Sequence, residues 1–128
     1  MDPRTLRYTK THEWARREGD TCTVGITRFA ADQLTDVTYL ELPKVGDRVA
    51  AGESFGSIET VKAVSDLYAP VDGEVVAVND KLLNDPNVIT QDPFEGGWLI
   101  KVRLAEGAGV DHLLTLEQYE QQIASEGH

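Results

Sequence analysis

Residues 55–73 read Phe55-Gly56-Ser57-Ile58-Glu59-Thr60-Val61-Lys62-Ala63-Val64-Ser65-Asp66-Leu67-Tyr68-Ala69-Pro70-Val71-Asp72-Gly73 and concentrate the chain's chemical interest in one lysine. Lys62 stands among small and apolar neighbours, with Glu59 and Asp66 on either side and a Pro/Gly turn downstream. Such a residue offers a primary amine, which forms a stable amide with a carboxylic acid and loses its charge in doing so. On residue type alone it reads also as an ordinary surface lysine at a hairpin, with Glu59 and Asp66 as solvated charges. Other chemistries lack their parts. No nucleophile–base pair stands out, and His12, His112 and His128 are scattered. Cys22 is the single cysteine, which excludes an internal disulfide framework and every Cys-cluster metal site. Its place on the apolar face of a strand marks it as a buried small hydrophobe. Residues 79–92 are acid-rich but lack the D-x-D-x-D-G order of a calcium loop. Trp14 and Trp98 read as core or interface fillers.

The elements that must position Lys62 are short and bounded by turns. Cys22, Val24 and Ile26 alternate with Thr21, Thr23 and Gly25, the pattern of a half-buried strand. Residues 37–42 are β-rich and stop at Pro43, with a turn expected over Lys44-Val45-Gly46-Asp47. Residues 55–64 are strand-like, residues 67–69 stop at Pro70, and Asp72-Gly73 turns the chain into residues 74–78. Trp98, Ile100, Val102 and Leu104 alternate with Leu99, Lys101 and Arg103. Many short strands with Gly/Pro turns predict a mainly β sandwich or barrel. The units Val45-Gly46-Asp47-Arg48-Val49-Ala50 and Val71-Asp72-Gly73-Glu74-Val75-Val76-Ala77-Val78 flank Lys62 as a pseudo-symmetric pair, which puts Val61-Lys62-Ala63 near a turn between them.

Three helices are expected. Thr27 can cap a short one over residues 28–34, with Phe29, Ala30 and Leu34 inward. One turn over residues 80–84 must end near Asp85, because Pro86 disfavours helical backbone before it. The third covers about residues 115–125. Thr115 with Gln118 forms a capping box, Leu114 with Tyr119 a hydrophobic staple, and Leu116, Tyr119 and Ile123 share one stripe.

Composition limits the function classes. At 128 residues the chain makes one domain, with roughly two-thirds of its unfolded surface buried. Twelve Lys and Arg against 22 Asp and Glu leave a net charge of −10. That field repels phosphate backbones and anionic lipid, so neither nucleic acid nor a membrane is an expected partner. Apolar runs are far too short for a spanning helix. The opening MDPRTLRYTKTHEW has no apolar stretch and reads as neither signal nor transit peptide. The expectation is a soluble, cytoplasmic, monomeric protein.

The stretch around Lys62 resembles the lipoyl-attachment signature G-x-I-E-[ST]-V-K-A-x-x-[DE]-L followed by A-P-x-x-G, nearly residue for residue. Tyr8-Thr9-Lys10-Thr11-His12-Glu13-Trp14, Val24-Gly25-Ile26-Thr27, Tyr39-Leu40-Glu41-Leu42-Pro43-Lys44-Val45-Gly46 and Gly96-Gly97-Trp98-Leu99-Ile100-Lys101-Val102 extend the match. Together they resemble the glycine cleavage system H proteins over roughly residues 6–123. The resemblance implies a hybrid of two antiparallel sheets, lipoyl/biotinyl-carrier-like, with short helices and a C-terminal helix. It implies lipoate in amide linkage on Lys62, at the end of an arm on the order of ten ångströms or more. It implies a carrier without chemistry of its own. A pyridoxal-phosphate glycine decarboxylase (P-protein) loads it with an aminomethyl group. A tetrahydrofolate-dependent aminomethyltransferase (T-protein) unloads it, and a flavin dihydrolipoamide dehydrogenase (L-protein) reoxidises it. By the same resemblance, Glu59 is read by the lipoyl-attaching enzyme, and Glu13 and Asp66 shelter the loaded arm. Where some members carry a histidine in the first short helix, this chain has Gln33, and Thr60 replaces the commoner serine.

Neighbouring readings fit less well. A biotinyl carrier normally sets its lysine between methionines, whereas Val61 and Ala63 flank Lys62. A lipoyl domain of a 2-oxo acid dehydrogenase is shorter, usually has Asp before the lysine, and lacks the His-Glu-Trp segment and the last helix. A stand-alone enzyme would need catalytic groups the sequence does not display.

Overall fold

A computed structural model describes residues 3–34 and 36–126. Among the described residues the chain folds as two antiparallel sheets with four α-helices and one short 3-10 helix. The larger sheet has the order β1 (Arg7–Tyr8), β2 (Glu13–Glu18), β3 (Thr21–Ile26), β9 (Ile100–Leu104), β8 (Gly73–Val78) and β5 (Arg48–Val49). The smaller has β4 (Val37–Glu41), β6 (Ser54–Thr60) and β7 (Val64–Tyr68). The mainly β fold with short helices and a C-terminal helix is thus the one the residue pattern calls for.

The two units that flank Lys62 pair with each other. Arg48 and Val49 of β5 face Glu74 and Gly73 of β8, and β6 and β7 continue inward as a hairpin. Gly46 N–H donates to Val75 O at 2.8 Å and Val75 N–H to Asp47 O at 2.8 Å, which ties the expected turn over residues 44–47 to β8. Gly46 has φ 98°, a backbone that glycine adopts without steric cost.

β3 corrects an expectation. Cys22, Val24 and Ile26 join the main core, but Thr23 and Gly25 on the opposite face are buried too. A second cluster of Leu6, Tyr8, Trp14 and Tyr119, with Leu114, Leu116 and Ile123 packed on it, covers this side of the large sheet. Gly25 lies against the Trp14 indole so closely that a Cβ there would sit 2.5 Å from ring atoms. From Cys22 on the strand is covered on both faces, although the polar and featureless residues of its second face read as solvent-facing.

Helix α1 (Arg28–Asp32) starts as expected: the Thr27 hydroxyl accepts from Ala30 N–H. Ala31 is its buried residue, and Ala30 and Leu34 pack half-buried against the main core as expected, while Phe29 lies tilted against the His12 ring. Residues 79–92 hold two single-turn helices, α2 (Lys81–Asn84) and α3 (Val88–Gln91), where one was expected. Leu82 and Ile89, one from each, are buried in the main core, which accounts for the second turn. Helix α4 (Leu116–Glu126) has its capping box in place: Thr115 N–H donates to Gln118 Oε1 at 2.9 Å and Gln118 N–H to Thr115 Oγ1 at 3.3 Å. Its entry is pinned to β1 by paired backbone bonds between Tyr8 and Leu114.

Candidate functional site

Lys62 sits at the tip of the β6–β7 hairpin. Glu59 pairs with Val64, Thr60 N–H donates to Ala63 O at 2.8 Å, and Val61 and Lys62 form the loop. Two-residue loops usually need φ > 0, and a β-branched valine resists it. Among the described residues only His12 and certain glycines have positive φ, so Val61 and Lys62 do not supply it. A side chain completes the turn instead. The Thr60 hydroxyl accepts from Lys62 N–H at 3.2 Å and from Ala63 N–H at 3.1 Å. This is the reason a hydroxyl residue stands there, and threonine serves it as well as serine. Lys62 is exposed, and among the described residues its ammonium enters no hydrogen bond or ion pair.

Strand register arranges the surroundings of the lysine. Tyr39, Glu59 and Val64 lie abreast across β4, β6 and β7, and Glu41, Ser57 and Asp66 form the next row on the same outer face. Tyr39 is 55% exposed, Val61 65% and Val64 61%, three of the six large apolar side chains left exposed. Glu59 therefore stands between two apolar groups, one pair back from the lysine, and Asp66 stands farther down the same face.

Glu13 lies elsewhere. It opens β2 and is only 2% exposed. Its Oε1 accepts from the Thr9 hydroxyl at 2.6 Å and from the Thr11 hydroxyl, and its Oε2 accepts from Tyr68 N–H at 3.4 Å. Burial raises the pKa of its carboxyl above 4.5, against the lowering effect of the Thr11, Thr9 and Tyr68 bonds. Its partners Thr9, Thr11 and Tyr68, though not Glu13 itself, line a cleft of about 440 Å³ together with Tyr8, Pro70 and Leu114, among others. The His112 ring meets Pro70 O at 2.8 Å on the cleft wall. Asp66 does not line this cleft. It borders a shallower groove with Glu41, Ser57 and Phe55, and meets the Glu13 region only through β7, in which Tyr68 lies two residues on.

The residue pattern left Thr9, Thr11 and Tyr68 unremarked. Thr9 and Thr11 lie on a turn that enters β2, where strand alternation does not hold, so their convergence on Glu13 had no periodic signal. Gln33 is exposed and caps α1 by its backbone. The Cys22 thiol is pushed up to about 12 by burial, so it stays protonated and inert. Among the described residues no group of three His, Cys, Asp or Glu could hold a metal ion, and no helix is long and apolar enough to cross a membrane.

The sequence profile of the family described as Glycine cleavage H-protein matches residues 6–126. A glycine cleavage system H protein of Bacillus cereus (strain AH820) is 49% identical over 117 residues, covering 91% of this chain and 92% of that protein. One from Carboxydothermus hydrogenoformans is 46% identical over 125 residues, 98% of this chain and 96% of its own. The crystal structure of a glycine cleavage system H protein from Mycobacterium marinum superposes with a TM-score of 0.85 at 38% identity, covering 99% of this chain and 100% of the other.

Proposed function

The chain belongs to the glycine cleavage H-protein family, and from that premise we propose that it is the lipoyl carrier of a glycine cleavage system, with lipoate in amide linkage on Lys62. The observation that carries the reading is the exposed, unpaired amine at the tip of a hydroxyl-capped hairpin, inside Ile58-Glu59-Thr60-Val61-Lys62-Ala63. Lipoate on that amine supplies the dithiolane sulfurs that a chain with one buried cysteine does not have. The carrier performs no catalysis itself and works as a cytoplasmic monomer. The decarboxylase loads it with an aminomethyl group, the aminomethyltransferase unloads it, and dihydrolipoamide dehydrogenase restores it.

The chain's own residues have three tasks. The hairpin presents the amine. Lys62 reaches only about 6 Å from Cα to Nζ, so an enzyme that acylates the amine must touch the residues beside it. Glu59, flanked by Tyr39 and Val64, is then the acid the lipoyl-attaching enzyme reads. The third task is shelter. Along β7 the rise from Lys62 to Asp66 is roughly 13 Å at about 3.3 Å per residue, comparable to the arm. A folded-back arm thus ends level with Asp66, on the strand that leads to Tyr68, which lines the apolar cleft and whose N–H meets the buried Glu13 carboxylate. A carboxylate facing the cargo amine favours its ammonium form, whose nitrogen lacks the free pair needed to expel the thiolate. The cleft's apolar wall of Tyr68, Ala69, Pro70 and Leu114 suits a hydrocarbon chain.

Intact mass of the natively produced protein, followed by peptide mapping, tests the assignment. We expect one lipoyl group, on Lys62, and none in Lys62→Arg, which keeps charge and length but cannot form the amide. Lipoate on another lysine, or glycine cleavage supported by Lys62→Arg, overturns it.

A further inference from the structure

His12 is the one non-glycine among the described residues with a left-handed backbone, φ 73°. Histidine tolerates that region better than branched residues do, but a strained conformation persists only where its surroundings over-determine it. Here they do. His12 N–H donates to Thr9 O at 3.2 Å, and its carbonyl accepts from Thr27 N–H at 3.0 Å. The ring lies 4.8 Å from that of Phe29. Its Nδ1 is 2.8 Å from the Tyr119 hydroxyl and its Nε2 is 3.2 Å from Glu126 Oε1, both on α4.

The network closes with each donor matched to an acceptor. Ala30 N–H donates to Thr27 Oγ1, which lies 2.7 Å from the Tyr119 hydroxyl. The Thr27 hydroxyl can donate to Tyr119, Tyr119 to His12 Nδ1, and His12 Nε2–H to Glu126. Tyr119 is itself held by stacking on Tyr8, with ring centroids 4.7 Å apart. Burial is the main cause that pushes the Tyr119 phenol up to about 12, with the charges of Glu126 and then Glu13 adding to the rise, so it remains an O–H donor. His12 stands in sequence between Thr11 and Glu13.

We propose that His12 is a positioning residue: clasped by Tyr119 and Glu126 of the C-terminal helix, it holds the turn over residues 9–13 in the shape that puts the Thr9 and Thr11 hydroxyls on the Glu13 carboxylate. The inference rests on the reading of Glu13 as part of the cargo shelter. It makes α4, remote in sequence from the lysine hairpin, a determinant of how long the cargo is retained.

Two variants release the clasp differently. Tyr119→Phe keeps the ring on Tyr8 and removes the hydroxyl; His12→Asn tolerates the left-handed backbone and removes the imidazole. The first readout is amide hydrogen exchange of the unloaded carrier. We expect exchange at Glu13 N–H and Tyr68 N–H to rise about tenfold, the equivalent of one lost hydrogen bond, while Thr60 N–H in the lysine hairpin keeps its protection. Unchanged exchange at Glu13 and Tyr68, or a rise shared by Thr60, overturns the positioning role. Should His12→Asn unfold, Tyr119→Phe decides. The second readout is spontaneous loss of the aminomethyl group from the loaded carrier, with Glu13→Gln in parallel. Several-fold faster loss in all three is expected. Fast loss in Glu13→Gln with parental loss in both clasp variants overturns this inference alone. Parental loss in Glu13→Gln overturns the shelter reading, and amide exchange then judges the positioning role by itself.

Discussion

Glu13 is the residue whose environment departs most from its sequence appearance. A carboxylate 2% exposed carries a desolvation cost that three hydrogen bonds offset in part, and the net effect raises its pKa above 4.5. A carboxyl raised in the folded state binds its proton more tightly there than in the unfolded chain. Its contribution to stability is fully present below pH 4.5 and is lost as pH rises through the folded-state pKa. Glu13→Gln removes that titration. The unfolding free energy of the parent relative to Glu13→Gln should therefore fall as pH is raised from about 4 to 7, read from urea denaturation at each pH. The opposite slope would mean that the Thr9, Thr11 and Tyr68 bonds outweigh burial.

In the proposed function, the hairpin is the element that makes a common residue an attachment point. A stiff tip is unusual for a loop without glycine, and the Thr60 hydroxyl supplies it by accepting two amides that no backbone carbonyl meets. Thr60→Val keeps the β-branch and removes the acceptor; Thr60→Ser keeps the acceptor. We expect Thr60→Val to lose about 1 kcal/mol of stability and to be lipoylated several-fold more slowly, with Thr60→Ser near the parent in both. The measurement is the initial rate of lipoate incorporation beside thermal unfolding. Equal rates for both variants would show that the turn needs no hydroxyl. The exposed row Tyr39, Glu59, Val64 belongs to the same element, so register between β4, β6 and β7 decides what an enzyme meets beside the amine.

Across the whole molecule the surplus of acids is the dominant feature. A net charge of −10 on 128 residues acts at a distance on any partner with a basic patch. The screening length is about 30 Å at 0.01 M salt and about 8 Å at 0.15 M, so the attraction fades within the experimental range. The apparent KM of the decarboxylase for this carrier should rise several-fold across that interval while kcat at saturating carrier holds, as expected for steering. A flat KM would assign recognition to the apolar and hairpin contacts alone.

The lysine hairpin, the capping box at Thr115 and Gln118, the Thr27 cap and most strands were legible in the sequence, because each is written in residues a few positions apart. Period-two alternation names the apolar face of a strand, and turn residues mark where it stops. What it leaves open is whether the other face is covered. Thr23 and Gly25 read as the solvent side of β3, and only the second cluster on that side of the sheet, with the Trp14 indole against Gly25, left them buried. Glu13 is the same case at the site. Its hydroxyl partners were near in sequence, yet its burial depends on Tyr68, 55 residues away. His12 and Tyr119 are 107 residues apart, and no local pattern in either segment points to the other. Local hydrogen bonding and periodicity are properties of a short stretch of chain; desolvation and long-range partners exist only once the sheets have closed, and they decide what a carboxylate or an imidazole does here.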